Sequence, residues 1–279
     1  MSQSISPGLP ILDVALARRM LVGFLRDEIR KVGLSRAVLG LSGGIDSALS
    51  CFLAAEALGP ENVLAVRMPY RTSSAGSLAH AQLVIDQLGV RAQTVDISGM
   101  VDSLLGQSSQ VTPLRAGNAM ARCRMVVLFD RSAAFNGLVV GTGNKTELML
   151  GYTTLFGDQA CALNPLGDLY KAQIRQLAAA MDVPKPILDK APSADLWEGQ
   201  TDEGEMGLTY DAVDRILRVL VDLRYSPEEA IALGLDAALV KRVAGMVARN
   251  QFKRRYPLIA KISTRTVGAD FLYPRDWGV

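Results

Sequence analysis

Short apolar runs and segments with helical spacing alternate along the first 150 residues of the chain. The strand-like runs are AVLGL (37–41), NVLAVRM (62–68), RAQTVDI (91–97) and LVVG (138–141). The segments with helix-period apolar residues are 11–32, 46–58, 77–89 and 117–137. Alternating strands and helices are typical of βαβ units, in which helices cover both faces of a parallel sheet. The sequence therefore predicts an α/β fold with a doubly wound parallel sheet and flanking helices.

The pattern changes after Gly151, where turn-rich sequence leads into a helix predicted at 171–181. A long proline-rich and acid-rich stretch follows. Such loops in compact domains are usually lids or binding loops, with a disordered linker as the alternative, and the apolar Leu196 and Trp197 favour an ordered lid. We predict a single domain in three parts, which are an α/β nucleotide-binding core (1–183), a lid-like loop (184–207) and a helical C-terminal part (208–279).

The overall composition gives no sign of a nucleic-acid or membrane partner. Thirty basic and 28 acidic residues leave a formal net charge of +2. No apolar run reaches the roughly 18 to 20 residues of a membrane helix, and the first residues lack the pattern of a signal peptide. Three cysteines, Cys51, Cys123 and Cys161, are widely separated and are expected to be reduced thiols. We therefore expect a cytoplasmic protein.

The stretch GLSGGIDS at 40–47 joins the first predicted strand to a helix. Open α/β sheets bind ligands at the carboxyl ends of their parallel strands. Gly43 and Gly44 let the main chain turn so that its N–H groups can surround an anion, yet the lysine of a GxxxxGK[ST] phosphate loop is absent. Because Asp46 would repel a bare phosphate, we expect a nucleotide that carries Mg²⁺. The alternative is a glycine-rich turn in which Asp46 caps the helix.

Four segments resemble a known family. SGGIDS (42–47) resembles the pyrophosphate-binding loop of the N-type ATP pyrophosphatases, which cleave ATP between the α and β phosphates. The segments 141–171, 190–203 and FKRRYP (252–257) resemble NAD synthetase, and the similarity covers nearly the whole chain. The resemblance implies an adenine-nucleotide alpha hydrolase-like fold with a C-terminal helical extension. It also implies a ligase for the last step of NAD biosynthesis, in which ATP adenylates deamido-NAD, pyrophosphate leaves and ammonia displaces AMP.

The resemblance also implies roles for individual residues. Asp46 and Glu147 correspond to ligands of Mg²⁺. Asp46, Lys171 and Asp158 correspond to catalytic residues, and Asp158 is expected to accept a proton from ammonium. Arg122 and Lys253 correspond to residues that bind deamido-NAD. The positions that correspond to ATP-binding residues are Gly40, Leu41, Ser42, Gly43, Gly44, Ile45, Asp46, Ser47, Arg67, Thr142, Lys171 and Ser193.

Simpler structural roles stay open for four of these residues. Glu147 could be a solvated acid on a helix, and Asp158 could cap a loop. Arg67 could form an ion pair at a strand end, and Arg122 could be a solvated arginine on a helix face.

Three positions depart from the pattern of ammonia-using family members. Leu155, Ala162 and Phe252 stand where those members have a lysine, an acid and a histidine. These departures weaken the assignment of deamido-NAD-binding residues from the family to this chain. In this part of the substrate site, Lys253 is the residue that still matches the family.

The length of the chain bears on the nitrogen source. Glutamine-using relatives need an additional hydrolase domain, for which 279 residues leave no room, so free ammonia is the expected co-substrate. A separate glutaminase subunit that delivers ammonia stays open. The resemblance also implies a homodimer, with the apolar helix at 117–135 as an interface.

The sequence is also compatible with other functions. The chain could be another N-type ATP pyrophosphatase, such as an amidotransferase or a sulphur-transferring RNA-modifying enzyme. It could also be a non-catalytic adenine-nucleotide-binding protein or an inactive assembly subunit.

Overall fold

A parallel sheet of four strands forms the centre of the molecule in the computed structural model, which describes residues 8–9, 12–193, 202–255, 257–268 and 270. The strands are β1 (Ala37–Gly40), β2 (Val63–Arg67), β3 (Arg91–Thr94) and β4 (Leu138–Val139). Their order across the sheet is β3-β2-β1-β4, and every pairing is parallel. The predicted doubly wound parallel sheet is therefore confirmed.

The strand order creates a crevice at a defined place. The chain runs outward from β1 through β2 to β3 and then returns to add β4 on the other side of β1. The direction of winding reverses between β1 and β4, which is where open α/β sheets bind ligands. The loops that leave β1 and β4 therefore face each other across the crevice.

Helices account for most of the remaining described chain. They are α1 (Val14–Lys31), α2 (Ile45–Leu58), α3 (Ala75–Leu88), α4 (Ser98–Leu105), α5 (Pro113–Phe135), α6 (Lys145–Leu150), α7 (Lys171–Ala180), α8 (Lys185–Leu188), α9 (Asp202–Met206), α10 (Tyr210–Leu217), α11 (Pro227–Ala232) and α12 (Ala237–Arg249). The sequence did not predict α4 or α6. They have eight and six residues, which are too few to show a helical period.

Both faces of the central strands are buried. Successive residues of a strand point to opposite faces, and here Leu39 and Ala65 join the core beneath α1, α2 and α7, whereas Val38 and Leu64 join the core beneath α4 and α5. A strand that is covered on both sides has to be continuously apolar. This explains why the sequences of β1 and β2 show no alternation of polar and apolar residues.

The C-terminal helices form a separate core with two residues from the α/β part. Leu150 and Tyr170 are buried there against α10 and α12. Helical structure ends at Arg254, and the described residues at 257–268 contain no helix. Pro257 lacks an N–H group, and the exposed side chains beyond it, such as Ile262, bury no apolar face that could support a helix.

The predicted lid lies partly outside the described residues. Within 184–207 the structure contains α8 and α9, and the N–H of Asp202 donates a hydrogen bond of 2.9 Å to the carbonyl of Pro192. Leu196 and Trp197, which favoured an ordered lid, are not among the described residues. The division of the chain into three parts stays a prediction. Within the described chain, no helix combines the length and apolar character needed to cross a membrane.

A buried carboxyl group ties the C-terminal helices to the α/β core. Asp214 of α10 is fully buried and accepts hydrogen bonds from the hydroxyl of Thr146 in α6 and from the N–H of Ala172 in α7, the latter at 3.0 Å. The Thr146 hydroxyl in turn accepts the N–H of Lys171 at 3.1 Å. Burial raises the pKa of Asp214 to about 6, although the two donors oppose the shift.

Replacing Asp214 by Asn should change how stability depends on pH. The pKa of Asp214 is higher in the folded chain than in the unfolded chain, so the folded chain holds a proton that the unfolded chain releases between about pH 4 and pH 6. The contribution of this carboxyl to the free energy of unfolding therefore falls as pH rises through that window. We expect the free energy of unfolding of the parent, relative to that of Asp214→Asn, to fall by about 2 to 3 kcal/mol between about pH 4 and pH 6. Urea denaturation of both proteins across this pH range measures the difference.

A second variant serves as the control for this measurement. Thr146→Val removes a donor that favours the ionised carboxyl, so the pH window should extend upward. A difference between the parent and Asp214→Asn that stays constant from pH 4 to pH 7 would contradict the raised pKa.

Candidate active site

A cavity of about 900 Å³ opens at the crevice between the loops that follow β1 and β4. Its volume falls within the range of small-molecule sites. All but three of the residues to which the sequence assigned a role line this cavity, the exceptions being Gly43, Arg67 and Arg122. The predicted residues that line it are Gly40, Leu41, Ser42, Gly44, Ile45, Asp46, Ser47, Thr142, Glu147, Asp158, Lys171, Ser193 and Lys253.

The glycine turn after β1 is fixed by two serines. Ser47 donates from its hydroxyl to the carbonyl of Gly44 at 3.0 Å and accepts the N–H of Ser42 at 3.2 Å. Gly43 has a φ of +81°, and a Cβ atom there would lie 2.1 Å from the carbonyl oxygen of Ser77. This position therefore requires glycine for both its backbone conformation and its close contact.

The N-terminus of α2 has no side-chain cap, and its first residues line the cavity. The cap residue is Gly44, which makes no side-chain cap hydrogen bond. The alternative in which Asp46 caps this helix is therefore wrong. Asp46 lies in the first turn of α2, where its carboxylate binds the side chains of Lys171 and Asn144. A helix start with free N–H groups is a ready site for phosphate.

Lys171 joins the two acids that were predicted to hold a metal. Its ammonium forms an ion pair with Asp46 and lies 3.6 Å from a carboxylate oxygen of Glu147. Burial lowers the pKa of Lys171, but the two carboxylates outweigh burial and raise it above its ordinary value. Burial raises the pKa of Glu147 to about 8, an effect that Lys171 opposes and Asp46 reinforces. The side chain of Glu147 is only 17% exposed, so the alternative of a solvated acid is wrong.

Asn144 positions both carboxylates and was not singled out in the sequence. It is fully buried, caps α6 through a reciprocal pair of hydrogen bonds with Glu147, and donates from its side-chain amide to Asp46 at 3.0 Å. An Asn followed three residues later by Glu is a capping-box arrangement that could have revealed it.

Tyr210 of α10 and Asp202 of α9 add to the cluster of Lys171, Asp46 and Glu147 from the C-terminal part of the chain. The Tyr210 ring lies beneath the Lys171 ammonium, with 5.0 Å from Nζ to the ring centre, and burial raises the pKa of its hydroxyl. That hydroxyl donates to Asp202 at 3.1 Å and lies 3.5 Å from Glu147. Asp202 falls within the segment 190–203 that resembles NAD synthetase but was not singled out there, and no motif contained Tyr210. The contact of both residues with the core is made only by the fold.

The donor set fits a magnesium nucleotide better than a metal held by protein alone. Among the described residues, no group of three or more His, Cys, Asp or Glu side chains is arranged to hold a metal ion. Asp46 and Glu147 meet at one ammonium and provide only two carboxylates. Mg²⁺ commonly binds one or two carboxylates and completes its shell with phosphate oxygens and water. The two acids therefore fit an ion that arrives with a triphosphate.

Asp158 and Lys253 lie in another part of the cavity wall. Asp158 accepts the N–H of Thr154 at 2.7 Å, which is the geometry of a loop cap. Its residue is exposed to solvent on the cavity side. The protein atoms around the carboxyl partly exclude water from it, and this desolvation raises its pKa, whereas the hydrogen bond from the Thr154 N–H lowers it. The Lys253 ammonium donates to the carbonyls of Gly151 and Thr153, each at 2.7 Å. Loop capping and a role in proton transfer are compatible at Asp158.

Two predicted arginines point elsewhere. Arg67 donates to the side chain of Gln82 at 2.6 Å, and Arg122 donates to the carbonyl of Leu155 at 3.3 Å from an exposed position. Their assigned roles stay predictions. Arg124, two residues after Arg122, does line the cavity and donates to the carbonyl of Met68 at 3.2 Å.

The three positions that depart from the family pattern contribute little to the cavity wall. Leu155 is partly buried and Phe252 is 60% exposed, and neither lines the cavity. The N–H of Ala162 donates to the carbonyl of Val139 at 2.9 Å, which extends the sheet beside β4. These residues therefore leave the nucleotide side of the crevice intact.

A doubly wound sheet with a glycine turn after its first strand and an acid–lysine cluster across the crevice defines a protein of the adenine-nucleotide alpha hydrolase type. Comparison with known proteins gives the family. A model of the NAD synthase family matches residues 17–257, and the chain belongs to this family. The predicted family is thereby confirmed, together with its class of enzyme, a ligase that forms carbon–nitrogen bonds.

Two curated relatives match over most of their length. The chain is 58% identical over 267 residues to an NH3-dependent NAD+ synthetase of Trichlorobacter lovleyi, covering 96% of this chain and 98% of the relative. It is 53% identical to a protein of the same name from Chlorobaculum parvum, covering 95% of this chain and 96% of that one.

Solved structures show the same fold. An NMN synthetase from Francisella tularensis matches with a TM-score of 0.79 at 34% identity, covering 90% of this chain and 100% of that chain. A glutamine-dependent NAD+ synthetase from Acinetobacter baumannii matches with a TM-score of 0.68 at 30% identity. The alignment covers 96% of this chain but only 51% of that one.

Replacing Gly43 by Ala should destabilise the protein through the glycine turn. The left-handed backbone disfavours a side chain by about 1 to 3 kcal/mol, and collision with the Ser77 carbonyl adds to this cost. Urea denaturation should show a lower midpoint with an unchanged slope. Gly99→Ala is the matched control, because Gly99 lies in α4 with no atom within 4 Å of an added Cβ, and it should shift stability by less than about 1 kcal/mol. Equal stability of both variants would contradict the assigned contact.

Proposed function

We propose that the chain converts deamido-NAD to NAD, using ATP and free ammonia and releasing AMP and pyrophosphate. The observation that carries the proposal is the cluster of Lys171, Asp46 and Glu147 beside a glycine turn that leads into the N-terminus of α2, which has no side-chain cap. Family membership supplies the reaction type, and the relatives named NH3-dependent NAD+ synthetase support the substrates.

The first half of the reaction needs an attack on the innermost phosphorus of ATP. A carboxylate becomes a good acyl donor once it is joined to AMP, and this requires pyrophosphate to leave. The N–H groups of the glycine turn and the Ser47 hydroxyl would hold the β and γ phosphates, while the Lys171 ammonium would stabilise charge on the transferring phosphate. Mg²⁺ held by Asp46 and Glu147 would neutralise further negative charge on the leaving pyrophosphate.

The second half needs neutral ammonia at the activated carbonyl. Ammonia is almost entirely protonated at neutral pH, so some group has to bind ammonium and accept its proton. Asp158 lies in the same cavity and has a raised pKa, which suits a base better than an ordinary aspartate would. Lys253 lies close enough to Asp158 to affect its pKa, and we propose that it binds the dinucleotide together with Arg122.

Free ammonia is the proposed nitrogen source. The relatives that the chain covers almost completely are named for NH3, whereas it covers only 51% of the glutamine-dependent protein. A separate glutaminase subunit could still supply the ammonia.

We further propose a cytoplasmic homodimer. The residues Leu114, Val126 and Phe129 of α5 are 73%, 50% and 43% exposed, and they present an apolar surface on which a second copy could pack.

The proposed reaction should be visible directly by mass spectrometry. The protein incubated with ATP, Mg²⁺, deamido-NAD and ammonium should form NAD, AMP and pyrophosphate in equal amounts. ADP with phosphate would contradict the mechanism. Nicotinate mononucleotide should be tested in parallel, because one structural relative is an NMN synthetase, and a preference for it would reassign the substrate. Glutamine in place of ammonium should give no NAD.

Asp46→Asn should lower kcat at least about a hundredfold, since it removes a proposed magnesium ligand and one carboxylate partner of Lys171. Circular dichroism should show an unchanged fold. Asp27→Asn is the matched control, because Asp27 lies on the exposed surface of α1, and it should leave kcat unchanged. A near-normal rate for Asp46→Asn would remove this residue from the proposed machinery.

A further inference from the structure

The glycine turn has no lysine in its own sequence, unlike a kinase-type phosphate loop. Lys171 is already paired with two carboxylates. A triphosphate with about four negative charges usually meets at least one uncommitted cation from the protein. A triphosphate at this turn would therefore require a further basic side chain from elsewhere in the fold.

Lys190 lies at this place. It follows α8, is partly buried and lines the same cavity as Ser42, Gly44 and Ser47. Its ammonium donates to the hydroxyl of Ser77 at 2.8 Å.

Ser77 connects Lys190 to the turn itself. Ser77 lies in the first turn of α3 and is 4% exposed, and its carbonyl oxygen lies 2.1 Å from where a Cβ atom of Gly43 would be. Its hydroxyl also accepts a hydrogen bond from the Ser74 hydroxyl at 2.9 Å. An oxygen that accepts two hydrogen bonds keeps its own hydrogen as a donor. Lys190 and Ser77 thus bring an ammonium and a hydroxyl donor to one wall of the turn.

The charge surroundings of Lys190 indicate an anion as its partner. Within the part of the chain that the structure describes, no carboxylate lies within 4.0 Å of its ammonium. One of its three donors binds Ser77, and the others can bind an acceptor in the cavity. A partly buried ammonium that has no carboxylate partner can form charge-assisted hydrogen bonds with the phosphates of a ligand.

We propose that Lys190, assisted by Ser77, supplies the cation that the glycine turn lacks and binds the two terminal phosphates of the nucleotide, which leave as pyrophosphate. The proposal rests on the proposed function for the identity of the ligand. It differs from a purely structural role, in which Lys190 would only tether its segment to α3.

Binding of inorganic pyrophosphate, measured by calorimetry, tests this proposal without requiring turnover. Lys190→Met keeps the length of the side chain and removes its charge, so the Kd for pyrophosphate should rise roughly tenfold to a hundredfold. Lys190→Arg should remain within a few-fold of the parent, because the charge is kept. Ser77→Ala should weaken binding by a smaller factor, since it removes a neutral donor.

Lys185→Met is the matched control, since this exposed lysine of α8 does not line the cavity. It should bind pyrophosphate as the parent does. If the parent is active, the KM for ATP should rise in Lys190→Met while the KM for ammonium stays constant. Unchanged pyrophosphate binding in both Lys190→Met and Ser77→Ala would overturn the proposal, as would an equal loss in Lys185→Met. Loss of NAD formation in the parent with intact pyrophosphate binding would instead count against the proposed function alone.

Discussion

The buried ammonium of Lys171 is the interaction on which the arrangement of the site depends. It contacts Asp46 in α2, Glu147 in α6 and the ring of Tyr210 in α10, so one side chain joins three distant parts of the sequence. Removing one partner of a buried ion pair typically costs about 3 to 5 kcal/mol, because the remaining charge is left without compensation. The position of this ammonium therefore also determines where the acids of the crevice can lie.

The cluster contains more acid than base. Three carboxyl groups, those of Asp46, Glu147 and Asp202, surround a single ammonium either directly or through Tyr210. The raised pKa of Glu147, about 8, reflects burial together with this imbalance. A site with surplus negative charge gains from a cation that arrives with its ligand, and it holds a bare anion poorly. The cluster of Lys171, Asp46, Glu147 and Asp202 thus favours the metal ion of a metal-bound triphosphate, whereas the glycine turn favours its phosphates.

Most of the fold could be predicted because its signals are local. The runs at 37–41 and 62–68 are continuously apolar because both faces of β1 and β2 are covered, and the glycine turn is recognisable from six residues. Contacts between distant segments could not be predicted in this way. Tyr210 reaches Glu147 only through tertiary structure, and Arg122 matches a family position yet lies outside the cavity wall.

The buried carboxyl of Asp214 has a consequence for how the molecule opens. It binds the start of α7, the helix that begins with Lys171, while it sits in a helix of the C-terminal core. Detachment of the C-terminal helices would therefore break a hydrogen bond at the start of α7 and remove the Tyr210 ring from the Lys171 ammonium. Local opening of the two regions should then be coupled in a single cooperative unit, with amide protons at α7 and α10 exchanging with solvent at similar rates.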